Sequence, residues 1–352
     1  MSTEKALNEK ILKITEKIRE NYPELLKHLN ELTETIPAKE DPEINLGKYY
    51  DSLVNLVKKY EESHTEKVLE SVKVSGATSA NSDLIEEVNS MSLSYNYAGE
   101  GVVPILFLHG FPFDKSMWKE QIDSLKDSFC TIAIDIRGFG KSTDEETDLS
   151  IDLFTDDLVA FMDRRNIEKA IVCGLSMGGY IALNAVKRFP ERFEALILAD
   201  TQCIADSAEA KEKRMKTVQE IKQNGATEFN EKFIKSVFHP DSLQNKTEVV
   251  DRLREVVFAN STRIITAGLT ALAERPDSCS SLRTITIPTL IICGAQDELT
   301  PVAQSQFMHE NIKSSVLQVI QSAGHVSNLE QPEEFNKYLH EFLNKVKDNV
   351  VI

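Results

Sequence analysis

Along residues 1–72 the apolar positions recur at spacings of three and four. Leu7, Ile11, Ile14 and Ile18 form one stripe, Pro23 opens a segment carrying Leu25, Leu26, Leu29 and Leu32, and Tyr49, Leu53, Leu56, Val57 and Tyr60 form a third. This is the spacing that puts side chains on one face of an α-helix, so the stretch predicts a helical hairpin or three-helix unit. SGATSANSD (75–83) follows, small, polar and without period. It reads as a linker, which we bound at 73–89.

From about residue 90 the period changes. VVPILFLHG (102–110), TIAIDIRG (131–138), KAIVCG (169–174), EALILAD (194–200), IPTLIICG (287–294) and SSVLQVIQS (314–322) are short apolar runs, each ending in Gly, Asp or Ser. Runs of this kind suit parallel strands covered on both faces. Helical stripes separate most of them: Trp118, Ile122 and Leu125; Phe154, Leu158 and Phe161; Ala182 to Val186; and Phe335, Leu339, Phe342 and Val346, opened by Pro332 with Glu333 and Glu334 in the first turn. The alternation predicts an α/β fold, a mostly parallel sheet with helices on both faces. Residues 201–283 break the rhythm with four helical stripes and no strand-like run. The expected division is an all-α unit at 1–72, the linker at 73–89, a first core part at 90–200, a helical cap at 201–283 and a second core part at 284–352.

Composition narrows the function. The 352 residues are 41% hydrophobic, enough for a sizeable core, and the formal net charge of −16 repels phosphate backbones and anionic lipid surfaces. Nucleic acid and membrane are therefore not expected as partners. MSTEKALNEK has charges where a signal peptide carries its apolar run, and no apolar stretch is long enough to span a bilayer, so the expected location is cytoplasmic. The five cysteines, an odd count without a CxxC pair, are expected as buried free thiols rather than disulfides. His239 and His309 have no partners at metal-ligand spacing, so no metal is expected.

The candidate chemistry sits at the ends of the predicted strands. CGLSMGGY (173–180) sets Ser176 between glycines at the junction of strand KAIVCG and a helix, the setting of a nucleophile elbow. A serine hydroxyl needs a base to take its proton, and the base needs an orienting acid. Asp297 in GAQDELTP and His325 in SAGHVSNLE follow the last two strands in the order such a fold requires. The amides of Met177, after the nucleophile, and Phe111, in HGFPF (109–113), are the expected oxyanion donors. Phe113, Trp118, Tyr180 and Val326 are expected to line an apolar substrate pocket, with Phe111, Met117, Met177 and Leu299 flanking the same positions. Asp200, after EALILAD, is an alternative acid, and His109 reads as a loop-ordering residue. GFGKS (138–142) fails as a phosphate loop because Asp135 stands where the motif needs glycine.

The elements HGFPFDKSMW, DIRGFGKS, GLSMGG, GAQDELTP and AGHVSNLEQP resemble, in order and spacing, the α/β-hydrolase superfamily over residues from about 90 to 346. Within it the GLSMGG elbow is most similar to the group of 3-oxoadipate enol-lactonases and small carboxylesterases. The resemblance implies Ser176 as nucleophile, His325 as base and Asp297 as acid, no cofactor, and a cap that shapes the pocket for a small uncharged ester or lactone. Haloalkane dehalogenases and epoxide hydrolases share HGFP but carry aspartate at the position of Ser176. The N-terminal helical unit lies outside this resemblance. It is expected to pack on its own hydrolase core or to join two chains as a homodimer. The alternative is a ligand-sensing or signalling protein on a hydrolase fold, with these helices binding a partner.

Overall fold

A computed structural model describes residues 3–21, 25, 46, 48–58 and 83–350, save 102 and 145–147. The chain divides into two compact units, one of Met1–Lys73 with Asn349–Ile352 and the other of Val74–Asp348. In the first, α1 (Thr3–Asn21) and a second helix, α2 (48–58), carry the predicted stripes. Ile18, Leu25, Leu53 and Val57 are buried together, with Ile11, Ile14, Tyr49 and Leu56 packed around them. The stripe at Leu26, Leu29 and Leu32 and the linker residues 73–82 lie outside the described residues.

In the second unit eight strands form one sheet: β1 (Leu84–Val88), β2 (Met91–Ala98), β3 (Ile105–Leu108), β4 (Thr131–Ile134), β5 (Ala170–Leu175), β6 (Phe193–Ala199), β7 (Thr289–Gly294) and β8 (Ser315–Ile320). Their spatial order is β1-β2-β4-β3-β5-β6-β7-β8. The six predicted runs supply β3 to β8, all parallel. Every residue of β3, β4, β5 and β7 is buried, which is why these strands read as unbroken apolar runs.

One strand, β1, and the turn after it replace part of the expected linker. β1 and β2 form an antiparallel hairpin closed by Asn89 and Ser90, both at positive φ (45° and 62°). A two-residue turn with both φ positive matches the twist of the strands it joins, and asparagine tolerates that conformation better than most residues. Residues 84–89 therefore belong to the sheet and not to a linker.

The helices of the sheet layers are α3 (Lys119–Leu125), α4 (Ile151–Arg164), α5 (Met177–Arg188), α11 (Val302–Asn311), α12 (Ser327–Glu330) and α13 (Pro332–Val350). Between β6 and β7 lie α6 (Ala208–Asn224), α7 (Thr227–Val237), α8 (Pro240–Asn245), α9 (Thr247–Ala259) and α10 (Thr262–Ala273). The four stripes correspond to α6, α7, α9 and α10. The six-residue α8 is too short to show a period. α11 was not anticipated because its apolar residues, Val302, Ala303, Phe307 and Met308, fall in adjacent pairs and do not form a stripe.

One expectation about the cysteines is corrected. Cys130, Cys173 and Cys293 are buried free thiols, but Cys203 and Cys279 form a disulfide. They stand 76 residues apart in sequence, at the two ends of the helical insertion. Folding runs these ends side by side, Ser278 N–H donating to the Cys203 carbonyl at 2.9 Å, and no sequence spacing announces that.

Candidate active site

The turn from β5 into α5 is tight enough to dictate its residues. A Cβ at Gly174 would lie 2.1 Å from the Gly178 carbonyl oxygen, and one at Gly178 would lie 2.2 Å from that of Leu108, so neither position accepts a side chain. Between them Ser176 has φ 53° and ψ −112°, a region that an L-residue holds only at a cost of about 1–3 kcal/mol. Surrounding bonds hold it there. Ser176 N–H donates to the Ala199 carbonyl at 3.0 Å, and the Thr201 hydroxyl donates to the Ser176 carbonyl at 2.8 Å.

The strand ends bring three of the predicted residues together. His325 Nε2 lies 2.8 Å from Ser176 Oγ, and His325 Nδ1 lies 2.8 Å from Asp297 Oδ2. Asp297 is held in turn: the amides of Leu299 and Thr300 donate to Oδ1 at 2.9 Å each, and the Thr300 hydroxyl donates to Oδ2 at 2.7 Å. His325 and Asp297 are 3% and 5% exposed, so little water screens their interaction. Burial alone would lift the Asp297 carboxyl, but the His325 charge and the bonds from His325 and Thr300 hold it below the usual carboxylate range. Burial also disfavours an imidazolium, yet the Asp297 carboxylate, helped by Asp200 and Glu330, more than offsets that and raises His325. Thr300 escaped the sequence reading, although an acceptor side chain three residues before a threonine is a familiar turn pattern.

The predicted oxyanion residues flank this serine. Met177 begins α5 immediately after it, with its amide at a helix N-terminus. A Cβ at Gly110, the residue before Phe111, would lie 3.3 Å from Ser176 Cβ, which puts the HGFPF loop against the elbow. The Phe111 ring itself points into an aromatic group with Phe139, Phe229 and Phe233 (centroids 5.9, 6.4 and 6.1 Å away). Phe229 and Phe233 lie on α7, where their spacing of four marks a helix face and not a site.

The predicted lining residues separate. Phe113 lies on the same loop with its ring 5.8 Å from Phe233, and Val326 is buried beside His325. Tyr180 stacks under the Arg275 guanidinium at 4.7 Å. Trp118 is not drawn into this group: its fully buried ring packs against Phe107 and Phe335 at 5.0 and 6.3 Å, between β3 and α13.

Asp200, the alternative acid, makes no bond to His325. Its Oδ1 accepts from Gly294 N–H at 2.8 Å, and its Oδ2 accepts from the amide and hydroxyl of Ser327 at 3.0 and 2.7 Å. Burial first, and the nearby Asp297 charge second, push it up to about 7. His109 orders its loop: Nε2 accepts from Ile136 N–H at 2.9 Å, so Nδ1 donates to the Gly110 carbonyl at 2.8 Å. The GFGKS loop closes on Asp135, which accepts from the amides of Lys115 and Lys141 at 2.8 and 2.9 Å. Among the described residues no group of three His, Cys, Asp or Glu side chains could hold a metal ion, and no single helix is long and apolar enough to cross a membrane.

Residues 103–332 match the model of the alpha/beta hydrolase fold family. The chain is 34% identical to 3-oxoadipate enol-lactonase 2 of Acinetobacter baylyi, over 71% of this chain and 93% of that one. Among solved structures, a thermophilic esterase from Thermogutta terrifontis superposes with a TM-score of 0.72 at 32% identity, covering 75% of this chain and 99% of its own. The enol-lactonase from Burkholderia xenovorans superposes at 0.70 and 25% identity, covering 74% and 100%.

Proposed function

The chain belongs to the α/β-hydrolase fold family, and from that premise we propose that it is a serine hydrolase of carboxylic esters or lactones. The observation that carries the reading is the continuous relay from Asp297 through His325 to Ser176, with 2.8 Å at each step. The names of its relatives, an enol-lactonase and an esterase, fit the same chemistry.

The reaction follows from the relay. Ser176 Oγ attacks the substrate carbonyl carbon as His325 Nε2 takes its proton, and Asp297 holds the imidazole in the tautomer that leaves Nε2 free to accept. The tetrahedral oxyanion is held by the Met177 and Phe111 amides. His325 then gives its proton to the leaving alkoxide oxygen, which departs as an alcohol from an ester or stays tethered to the acyl group from a lactone. Water, deprotonated by His325, releases the acid and restores Ser176. The insertion at α6 to α10 acts as a cap, with Phe113, Phe229 and Phe233 shaping an apolar pocket for a small uncharged substrate, and Val326 beside the base. The chemistry requires no cofactor. A cytoplasmic location and a homodimer formed by the α1–α2 unit belong to the same proposal, checked by fractionation and light scattering.

Hydrolysis of p-nitrophenyl esters from acetate to octanoate, together with an enol-lactone, tests the reading when Ser176→Ala is assayed beside the wild type. Turnover that peaks at one acyl length and disappears in the variant supports it. Equal turnover in the variant defeats it. Near-background turnover of every substrate would redirect attention to a ligand-sensing role.

A further inference from the structure

The histidine loop is not held by the sheet alone. His325 N–H donates to the Val237 carbonyl at 2.7 Å, at the end of α7 in the helical insertion. Next to it Gly324 lies so close that a Cβ there would sit 2.8 Å from the Val237 oxygen and 3.0 Å from the His239 nitrogen. One carboxylate joins the two segments. Glu330, at the end of α12, is completely buried. Its Oε2 accepts from Gly324 N–H at 2.6 Å, and its Oε1 accepts from His239 N–H at 2.7 Å. Ser242 of α8 adds a side-chain hydrogen bond to the same carboxylate. The Lys246 ammonium, also from the insertion, bonds the Glu330 main-chain carbonyl.

Burial raises the Glu330 carboxyl above its ordinary range, and the three donors that converge on it oppose that shift by favouring the charged acceptor. These donors are not spread at random. One is the residue before His325, and two come from the insertion. We infer that Glu330 is a positioning residue for His325, a buried strut through which the helical insertion fixes the loop that carries the base. The inference rests on the proposed hydrolase reading and adds to it: the insertion sets the aim of the base as well as the shape of a pocket. A rotated His325 loop would lengthen the Nε2 to Oγ approach, and misplacement of a reacting group by about 1 Å costs on the order of 100-fold.

The charge of Glu330 matters as well as its shape. His325 faces Asp297 and Thr300 from the β7 side, Asp200 from β6, Ser176 from the elbow and Glu330 from α12. Of these, Asp297, Asp200 and Glu330 are the carboxylates that favour its charged form.

The test uses Glu330→Gln and Glu330→Asp in the full chain. Two measurements are made: kcat and KM on a p-nitrophenyl ester from pH 5 to 9, and the His325 titration by NMR, assigned with His325→Gln. For Glu330→Gln, whose amide nitrogen must face a donor, kcat falls about 10- to 100-fold with KM little changed, and the His325 pKa moves down. Glu330→Asp keeps the charge but cannot reach both amides, so kcat falls while the His325 pKa stays near that of the wild type. A folded Glu330→Gln protein with kcat within about twofold of the wild type and an unmoved His325 titration would overturn the inference. Should Glu330→Gln not fold, Ser242→Ala removes only the hydroxyl on the insertion side. It should lower kcat by less and leave the His325 pKa near that of the wild type, since the carboxylate stays, and an unchanged kcat would count against the strut. Because the NMR titration needs no turnover, failure of the strut and failure of the hydrolase reading are told apart: the second is seen as full activity in Ser176→Ala.

Discussion

Two neighbouring strands, β6 and β7, each end in a buried aspartate, and the two carboxylates do different work. Asp297 after β7 takes both turn amides on Oδ1, which leaves Oδ2 to be shared by the Thr300 hydroxyl and His325 Nδ1, the latter at 2.8 Å. Asp200 after β6 spends both oxygens on Gly294 and Ser327 and has none left for the imidazole. The charges follow the bonding. Asp297, which interacts with His325 and accepts from Thr300, is held below the ordinary carboxylate range, whereas Asp200, more deeply buried and facing another acid, is pushed up to about 7. Position at a strand end therefore does not by itself bring an acid to the imidazole. What decides is whether an oxygen is left over once the local backbone has been satisfied.

The comparison has a common endpoint at Ser176, and removing it sets the floor. Ser176→Ala is expected to lower kcat by about 10⁶, the scale seen when the nucleophile of another serine triad is removed, leaving only what binding and the oxyanion donors provide. Asp297→Asn comes next. The asparagine amide offers His325 a donor where it needs an acceptor, which favours the wrong tautomer, and kcat should fall by about 10⁴. Steady-state kinetics at pH 8 check both. A loss under about tenfold for Asp297→Asn would mean that Asp200 can take over the role, and the distinction between the strand ends would collapse.

Much of this was legible in the residues. The apolar runs mark the parallel strands because a strand buried on both faces, as β3, β4, β5 and β7 are, must be apolar throughout, and Ser176, Asp297 and His325 each follow a strand end. The hairpin β1–β2 is hidden because LIEEV sets its apolar and charged residues in pairs and does not alternate them: Ile85 is exposed and Glu86 half-buried, so no strand period shows. The Cys203–Cys279 disulfide and the Asp200 bonds were hidden for another reason: their partners are 76 and 127 residues apart, and only the assembled sheet brings them together. In the sequence Glu330 is one more acid two residues before Pro332. Nothing local marks it as fully buried.

The pH profile sharpens the comparison at smaller amplitude. A base must be neutral, and His325 is raised, so activity should rise with pH through a midpoint above the ordinary imidazole value of about 6.5. On the stability side the same shift has the opposite sense: the stabilisation from charged His325 is full below the unfolded value and fades as pH climbs through the folded one. Asp200→Asn removes an anion that favours the charged imidazole, so its midpoint should lie lower than that of the wild type. Its kcat on the plateau should stay within about tenfold, or about 1.4 kcal/mol of barrier. An unshifted midpoint would mean that Asp200 is already protonated wherever His325 titrates.

The smallest effect belongs to Ser327→Ala. The hydroxyl gives Asp200 Oδ2 its shortest bond, 2.7 Å, but the Ser327 amide still donates to the same oxygen at 3.0 Å. The carboxyl thus stays satisfied in part, and the loss should be that of one charge-assisted bond, about 1–3 kcal/mol of stability read from denaturant unfolding. Ser327 lies two residues beyond His325, yet its hydroxyl points to Asp200 and away from the relay, so kcat at the pH plateau should change by less than about threefold. If activity fell as far as in Asp297→Asn while stability held, the bond network after β6 would be part of the relay. The two aspartates would then form one catalytic unit and not a catalytic acid beside a structural one.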